Sequence, residues 1–222
     1  MNKNIIAFSL IIFLSFSFRS HAQIHAGPKA GANLNHTKFH DLTTYHPGFN
    51  AGAFAQYDLL DFLSLNTEIT YSQIGGGYDS GYYFVKPDIF RHNVNLTFHT
   101  VAVPLFVSLT WPSLARSAVK PIILLGAEYA YSFKTIESYD KVYRFKGEDI
   151  VSEDTSRDAT KDFDVHQPAM LFGAGASMIL FGKPAAIDVR YKSTFKKSDL
   201  PNGLSERLKM LSVNVGVTLF NF

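Results

Sequence analysis

The chain has no cysteine and a single tryptophan in 222 residues. Without cysteine there is no disulfide framework, no thiol nucleophile, and no lipid anchor of the kind carried on an N-terminal cysteine. Past residue 22, no apolar run approaches the roughly 20 residues that a membrane-spanning helix requires, and no helical apolar stripe stands out. A surplus of one charge is also missing. Setting aside Lys3 and Arg19 in the N-terminal segment takes the formal charge from +2 to 0, with 19 basic residues against 19 acidic ones. A neutral chain without a basic run speaks against nucleic acid as a partner. Nothing calls for a cofactor: Gly75-Gly76-Gly77 opens no helix, and Gly173-Ala174-Gly175 sits inside an extended stretch, so neither reads as a phosphate loop.

The first 22 residues read as a secretory signal. Lys3 supplies the positive start, Ile5 to Phe18 form an apolar core broken only by serine, and Ser20-His21-Ala22 offers a small-x-small cleavage site before Gln23. What remains, residues 23–222, is long enough for one domain or one small barrel. It holds many Phe and Tyr residues, which favours β structure.

Period-two alternation picks out eight strands: about Ile24–Leu34, Phe49–Asp58, Phe62–Gln73, Phe98–Thr110, Val119–Phe133, Pro168–Phe181, Ala186–Phe195 and Leu211–Leu219. In the seventh, Ile187, Val189, Tyr191 and Phe195 oppose Asp188, Arg190, Lys192 and Thr194. Three connections are short: Leu59–Asp61, Trp111–Ala118 and Gly182–Ala185. Four are long: Asn35–His46, Ile74–Thr97, Lys134–Gln167 and Lys196–Arg207. Short turns on one side and long loops on the other, with an even strand count, are the signature of an outer-membrane barrel. A spanning sheet must close, because hydrocarbon offers nothing to hydrogen-bond a free edge. The expected fold is therefore all-β: an eight-stranded antiparallel up-and-down transmembrane β-barrel. Its faces of Leu, Val, Ile and Ala meet lipid, and those rich in Gly, Ser, Asn and charge line the inside. A soluble lipocalin-type barrel would show the reverse. Tyr57, Tyr71, Tyr129, Tyr131 and Tyr191 fall toward strand ends on the apolar face, where aromatic girdles sit.

Several segments resemble a known family. Gly27-Pro28-Lys29-Ala30-Gly31-Ala32-Asn33-Leu34 is similar to its opening strand, and Pro47-Gly48-Phe49-Asn50-Ala51-Gly52 to its second. Glu68-Ile69-Thr70-Tyr71-Ser72-Gln73 with Gly75, Val101-Ala102-Val103-Pro104-Leu105, Leu171-Phe172-Gly173-Ala174-Gly175 and Asp188-Val189-Arg190-Tyr191 follow in order. Together they resemble the PorT-type outer-membrane β-barrel family of Bacteroidetes, whose namesake takes part in type IX secretion. The resemblance implies fold and location and brings no catalytic residues. Phe220 and Phe222 match a C-terminal aromatic read by the barrel-assembly machinery. Phe222, however, is out of phase with Val213, Val215 and Val217, so a bulge near Phe220-Asn221 is needed to turn it toward lipid.

The inward charges Glu68, Glu128, Asp188, Arg190 and Lys192 have two readings: a selectivity path or acid/base site, and a set of ion pairs filling a narrow interior. An eight-stranded barrel has just enough room for its own side chains, which favours the second. His36, His40 and His46 share one loop, but their spacing fits no metal-site geometry, so no metal is expected. A lipid-modifying enzyme would need His99, Ser72 or a carboxylate converging at the outer rim. A ligand-binding or uptake barrel is a further alternative. The loop Lys134–Gln167 carries mixed charge and reads as a solvated excursion, or as a contact surface for partners or lipopolysaccharide. Tyr78, Tyr82, Tyr83, Phe84 and Phe90 crowd the loop Ile74–Thr97. They mark either a partner-binding patch or two strands that continue above the membrane. The expected role is non-enzymatic, structural or interacting, with outer-membrane lipid, lipopolysaccharide and secretion or envelope proteins as candidate partners.

Overall fold

The structure is a computed structural model describing residues 23–39, 42–78, 83–86, 89–111, 119–145, 148–195, 198–199, 205–206 and 208–222. The expected signal segment, residues 1–22, lies outside the described residues, as does the connection Trp111–Ala118 past Trp111.

Eight long strands form a closed antiparallel ring in chain order. They are β1 (Ile24–Phe39), β2 (Leu42–Leu60), β3 (Leu63–Tyr78), β5 (Ile89–Thr110), β6 (Val119–Phe145), β8 (His166–Leu180), β9 (Lys183–Thr194) and β12 (Lys209–Val217). Shorter pieces decorate the ring: β4 (Tyr83–Lys86), β7 (Glu148–Asp158), the hairpin β10 (Ser198–Asp199) and β11 (Ser205–Glu206), and β13 (Phe220–Asn221). Among the described residues no helix is long and apolar enough to cross a membrane, and the crossing is left to strands. The alternation predicted from sequence decides the two faces. On β5, Val101, Val103, Leu105 and Leu109 are exposed on the outside while Ala102, Phe106 and Ser108 are buried inside. Outward side chains can be apolar because they meet lipid, and inward ones must satisfy each other.

The long loops need correction. β5 and β6 stay paired up to Ile89 and Tyr143, and β7 adds to the rising edge of β6 from Ile136 opposite Asp158 to Phe145 opposite Glu148. Most of Lys134–Gln167 is therefore hairpin rather than solvated loop, and so is most of Asn35–His46, where β1 and β2 pair up to Phe39 opposite Leu42. For Ile74–Thr97 the pairing shows one of the two readings, strands that continue above the membrane, since β3 and β5 run together to Tyr78 opposite Val94. Asn35–His46 and most of Lys134–Gln167 are rich in polar residues and show little period-two alternation, while on β5 the alternation continues but inverts, with Val94, Leu96 and Phe98 buried inside. Inside this upper part Ile74, Val94, Leu96, Phe98, Tyr139, Phe163 and Met210 form an apolar core, with Phe98 and Phe163 edge to face at 5.4 Å between centroids. Phe163 reaches it from the segment after β7, whose Ala159 N–H donates to the Thr135 carbonyl at 2.9 Å.

Two bulges set side-chain direction. His99 lies opposite Lys134 but Thr100 lies opposite Ser132, so Phe133 is an extra residue in β6. Below it Ser132 faces inward; above it Thr135 and Glu137 do. The second bulge closes the barrel. Gly216 lies opposite Lys29 and Phe220 opposite Ala26, so four steps of the last strand span three of the first. That shift brings Phe222 to the outside, 76 % exposed, its ring stacked on Phe220. Ile24 and Phe222 exchange backbone hydrogen bonds of 3.1 and 3.0 Å.

Glycine is required at several close strand approaches, Gly126 among them. A Cβ on Gly126 would lie 2.3 Å from the Leu105 carbonyl oxygen and 2.3 Å from the Phe106 Cβ. We expect Gly126→Val to destabilise the barrel by about 1–3 kcal/mol, the usual cost of overpacking. Urea unfolding in detergent, followed by heat-modifiable gel migration, would check this.

Candidate functional site

The centre of the lumen is a knot of four charges contributed by three strands. Lys29 comes from β1, Glu68 from β3, and Asp188 and Arg190 from β9. Each was placed inward by the parity of its strand, and each is only 4–6 % exposed. Arg190 Nη1 and Nη2 donate to Glu68 Oε2 and Oε1 at 3.0 and 2.8 Å. Its Nε and Nη2 donate to Asp188 Oδ1 and Oδ2 at 2.6 and 3.0 Å. Lys29 Nζ completes the square, 2.8 Å from Glu68 Oε1 and 3.3 Å from Asp188 Oδ2. Asn214 of β12 donates to Asp188 Oδ1 at 2.8 Å, and the guanidinium carbon lies 4.5 Å from the centre of the Phe106 ring.

β3 and β9 stand four places apart in a ring of eight, on opposite walls. The Arg190–Glu68 fork therefore spans the barrel's diameter. Two cations meet two anions, so the knot is neutral, and nearly every donor has an acceptor. Burying four charges is tolerable only with that degree of pairing.

Of the five inward charges read from the sequence, Glu68, Asp188 and Arg190 come together here. Glu128 and Lys192 form a separate ion pair at 2.5 Å. Lys29 was missed. It stands among Gly27, Gly31 and Asn33 in the first strand, and counting its parity as a lining charge would have found it. Asn214 and Phe106 complete the knot without a sequence signal of their own, because a lone Asn or Phe on a lining face is unremarkable. Glu137, which pairs with Arg157, falls beyond the expected strand end at Phe133, in what read as the loop Lys134–Gln167. Arg157 also reaches Asp162 at 2.8 Å.

The remaining candidates scatter. Ser72 is 2 % exposed inside, whereas His99 stands on the outer face and bonds the Tyr71 hydroxyl at 2.7 Å through Nδ1. The barrel wall separates them, so this pair cannot converge as an enzyme's rim site would require. His36 packs beside Tyr45, and His40 lies outside the described residues. Among the described residues no three His, Asp or Glu side chains gather as metal ligands. In the aromatic loop, Tyr78 ends β3, the backbone sets Tyr83 opposite Arg91 and Phe84 opposite Phe90, and Tyr82 lies outside the described residues.

Below the knot, toward the short-turn end, lies a cavity of about 230 Å³. Its lining mixes apolar Phe54, Phe106, Ile122 and Leu124 with polar Asp58, Asn66 and Ser108. Its roof is the charge knot. Asp58 accepts from Gln56 and Ser64, both at 2.7 Å, and pairs with His25 at 3.0 Å.

The family model for the outer membrane protein beta-barrel domain matches residues 15–198. The chain belongs to that family. It resides in the bacterial outer membrane. No curated protein matches the chain. Among solved structures, the barrel is similar to the attachment invasion locus protein Ail of Yersinia pestis, in complex with the heparin analogue sucrose octasulfate. That likeness has 13 % identity and a TM-score of 0.43, covering 90 % of this chain and 100 % of the other. Neisserial surface protein A is 16 % identical with a TM-score of 0.43, covering 87 % and 97 %. A major outer membrane protein of Thermus thermophilus is 11 % identical with a TM-score of 0.45, covering 87 % and 99 %.

The knot's pairing can be tested by unbalancing it. Glu68→Gln leaves Lys29 and Arg190 sharing one carboxylate, and we expect a loss of about 3–5 kcal/mol, the range for removing one partner of a buried pair. Lys29→Met combined with Glu68→Gln restores neutrality, and its urea midpoint should recover at least half of the difference. Equal midpoints for the single and double variants would contradict the pairing.

Proposed function

We propose that this outer-membrane barrel is a non-enzymatic structural and interaction protein. Its lumen serves as a sealed support, and its extracellular strands carry the contacts. The observation that carries the reading is the Arg190–Glu68 fork, which crosses the lumen from wall to wall with Lys29 and Asp188 filling the remaining corners. A barrel plugged by its own paired charges at mid-height, and packed with apolar side chains above, offers a solute no continuous path. β5 and β6, the longest described strands at 22 and 27 residues, carry β4 and β7 on their extensions above the membrane. The similarity of several strand segments to the PorT-type family favours an accessory role in protein secretion, with secretion or envelope proteins as partners and lipopolysaccharide as the surrounding lipid.

The alternative with a specific observation behind it is a ligand-binding barrel. The cavity of about 230 Å³ below the knot is lined by both apolar and polar side chains, which suits a small amphipathic molecule. An enzyme is less well supported, since Ser72 and His99 stand on opposite faces.

Two measurements test the main reading. In planar bilayers the purified barrel should give no sustained single-channel steps, and a stable open channel would overturn the sealed lumen. For the contacts, the tagged protein is extracted in mild detergent and its co-purifying proteins are identified by mass spectrometry. A variant with residues 142–151 at the β6–β7 tip replaced by a tight turn should fold yet lose the proteins that the full chain retains. Recovery of the bare barrel from the full chain would defeat the interaction reading.

A further inference from the structure

The outer face of the wall carries a second constellation. Tyr71 of β3, His99 of β5 and Phe133 of β6 cluster there, with both other rings 6.3 Å from Phe133. His99 Nδ1 is held by the Tyr71 hydroxyl at 2.7 Å. Two strands further round the same motif recurs, with His166 Nδ1 held by the Tyr129 hydroxyl at 2.5 Å and its ring 5.6 Å from that of Tyr131. In each pair a phenol occupies Nδ1. Both the protonated ring and the neutral form that accepts the phenol proton at Nδ1 present an Nε2–H donor away from the tyrosine. Among the described residues neither Nε2 has a partner.

The Phe133 bulge supplies the charge. An extra residue in a strand leaves two consecutive side chains on one face. Phe133 and Lys134 are both exposed on the outside, and Lys134 lies opposite His99 in the β5–β6 register. Asp158 is the acidic neighbour of Lys134, but its carboxylate already accepts from the Thr160 N–H and hydroxyl at 2.9 and 2.6 Å. On the other side, Asp164 accepts the His166 backbone N–H at 3.1 Å. The best-furnished corner is therefore His99 with Lys134.

Height in the membrane selects the occupant. His99 lies 11 residues above Thr110 at the turn end of β5. With a rise of about 3.3 Å per residue and a tilt of about 40°, that is roughly 28 Å, just past an apolar band about 25 Å tall. An outward cationic corner at this level, floored by aromatic rings, faces lipid headgroups rather than open water. We propose that Tyr71, His99, Phe133 and Lys134 form a binding site for the phosphate of an outer-leaflet glycolipid. Lys134 and the His99 Nε2–H hold the phosphate, and the aromatic rings lie against the sugar and the first carbons of the acyl chains.

Native mass spectrometry of the full barrel in detergent tests this, with bisphosphorylated lipid A and the same lipid A after phosphatase treatment as probes. The wild type should hold the phosphorylated form about tenfold more tightly, the scale of one charge-assisted hydrogen bond. The double variant His99→Gln/Lys134→Gln should lose that preference. Lys183→Gln at the turn end should keep it. Heat-modifiable migration confirms that each variant is folded, and Lys134→Arg gives a gentler version that should retain binding. Equal binding of the two lipids by the wild type, or an undiminished preference in the double variant, would overturn the site. Co-purifying proteins report on the interaction reading separately, so loss of one result leaves the other standing.

Discussion

Everything in this molecule follows from the need to pair its first and last strands. In hydrocarbon an open strand edge leaves a row of unsatisfied N–H and C=O groups, each costing several kcal/mol. β1 pairs with β12 over eight residues and with β13 over two more, which leaves no edge on the ring. The one-residue shift between those two segments lets the chain end run on alongside Ile24. Closure and the outward turn of Phe222 are thus one geometric event.

Closing eight strands fixes a narrow interior, and that interior sets the terms for every inward side chain. A wide barrel could leave charges in water. Here Glu68 and Arg190 meet from opposite walls, Lys29 and Asp188 fill the gaps, and Phe106 lies against the guanidinium. The close strand contact at Gly126 admits the Phe106 side chain to that position. Apolar packing above and a cavity below divide the lumen into three levels with different chemistry. The lowest holds the cavity of about 230 Å³.

Much of this was readable from the chain. Strand order, the inside and outside of every barrel strand, the short turns and the need for a bulge near Phe220 all follow from period-two alternation and parity. The upper strands were legible only in part: their continuation was one of two readings for Ile74–Thr97, while the upper parts of β1, β2 and β6 are too polar to alternate and β5 turns its apolar phase inward. Charges were only partly readable. Parity placed Glu68, Glu128, Asp188, Arg190 and Lys192 inside, but the partition into a four-charge knot and a separate Glu128–Lys192 pair depends on which walls face each other. Lys29 was lost among glycines, and Glu137 lies past the expected end of its strand, above a bulge that no residue type announces.

The amino-acid sequence by itself determined the compartment, the closed ring and the two faces of its wall, because alternation has a period of two residues and lipid enforces it residue by residue. Tertiary structure alone decided who meets whom across the lumen and where Phe133 slips the register. Those depend on the stagger between strands distant in sequence. A single inserted residue reverses the face of everything above it, and the pattern of one strand carries no record of its neighbour's register.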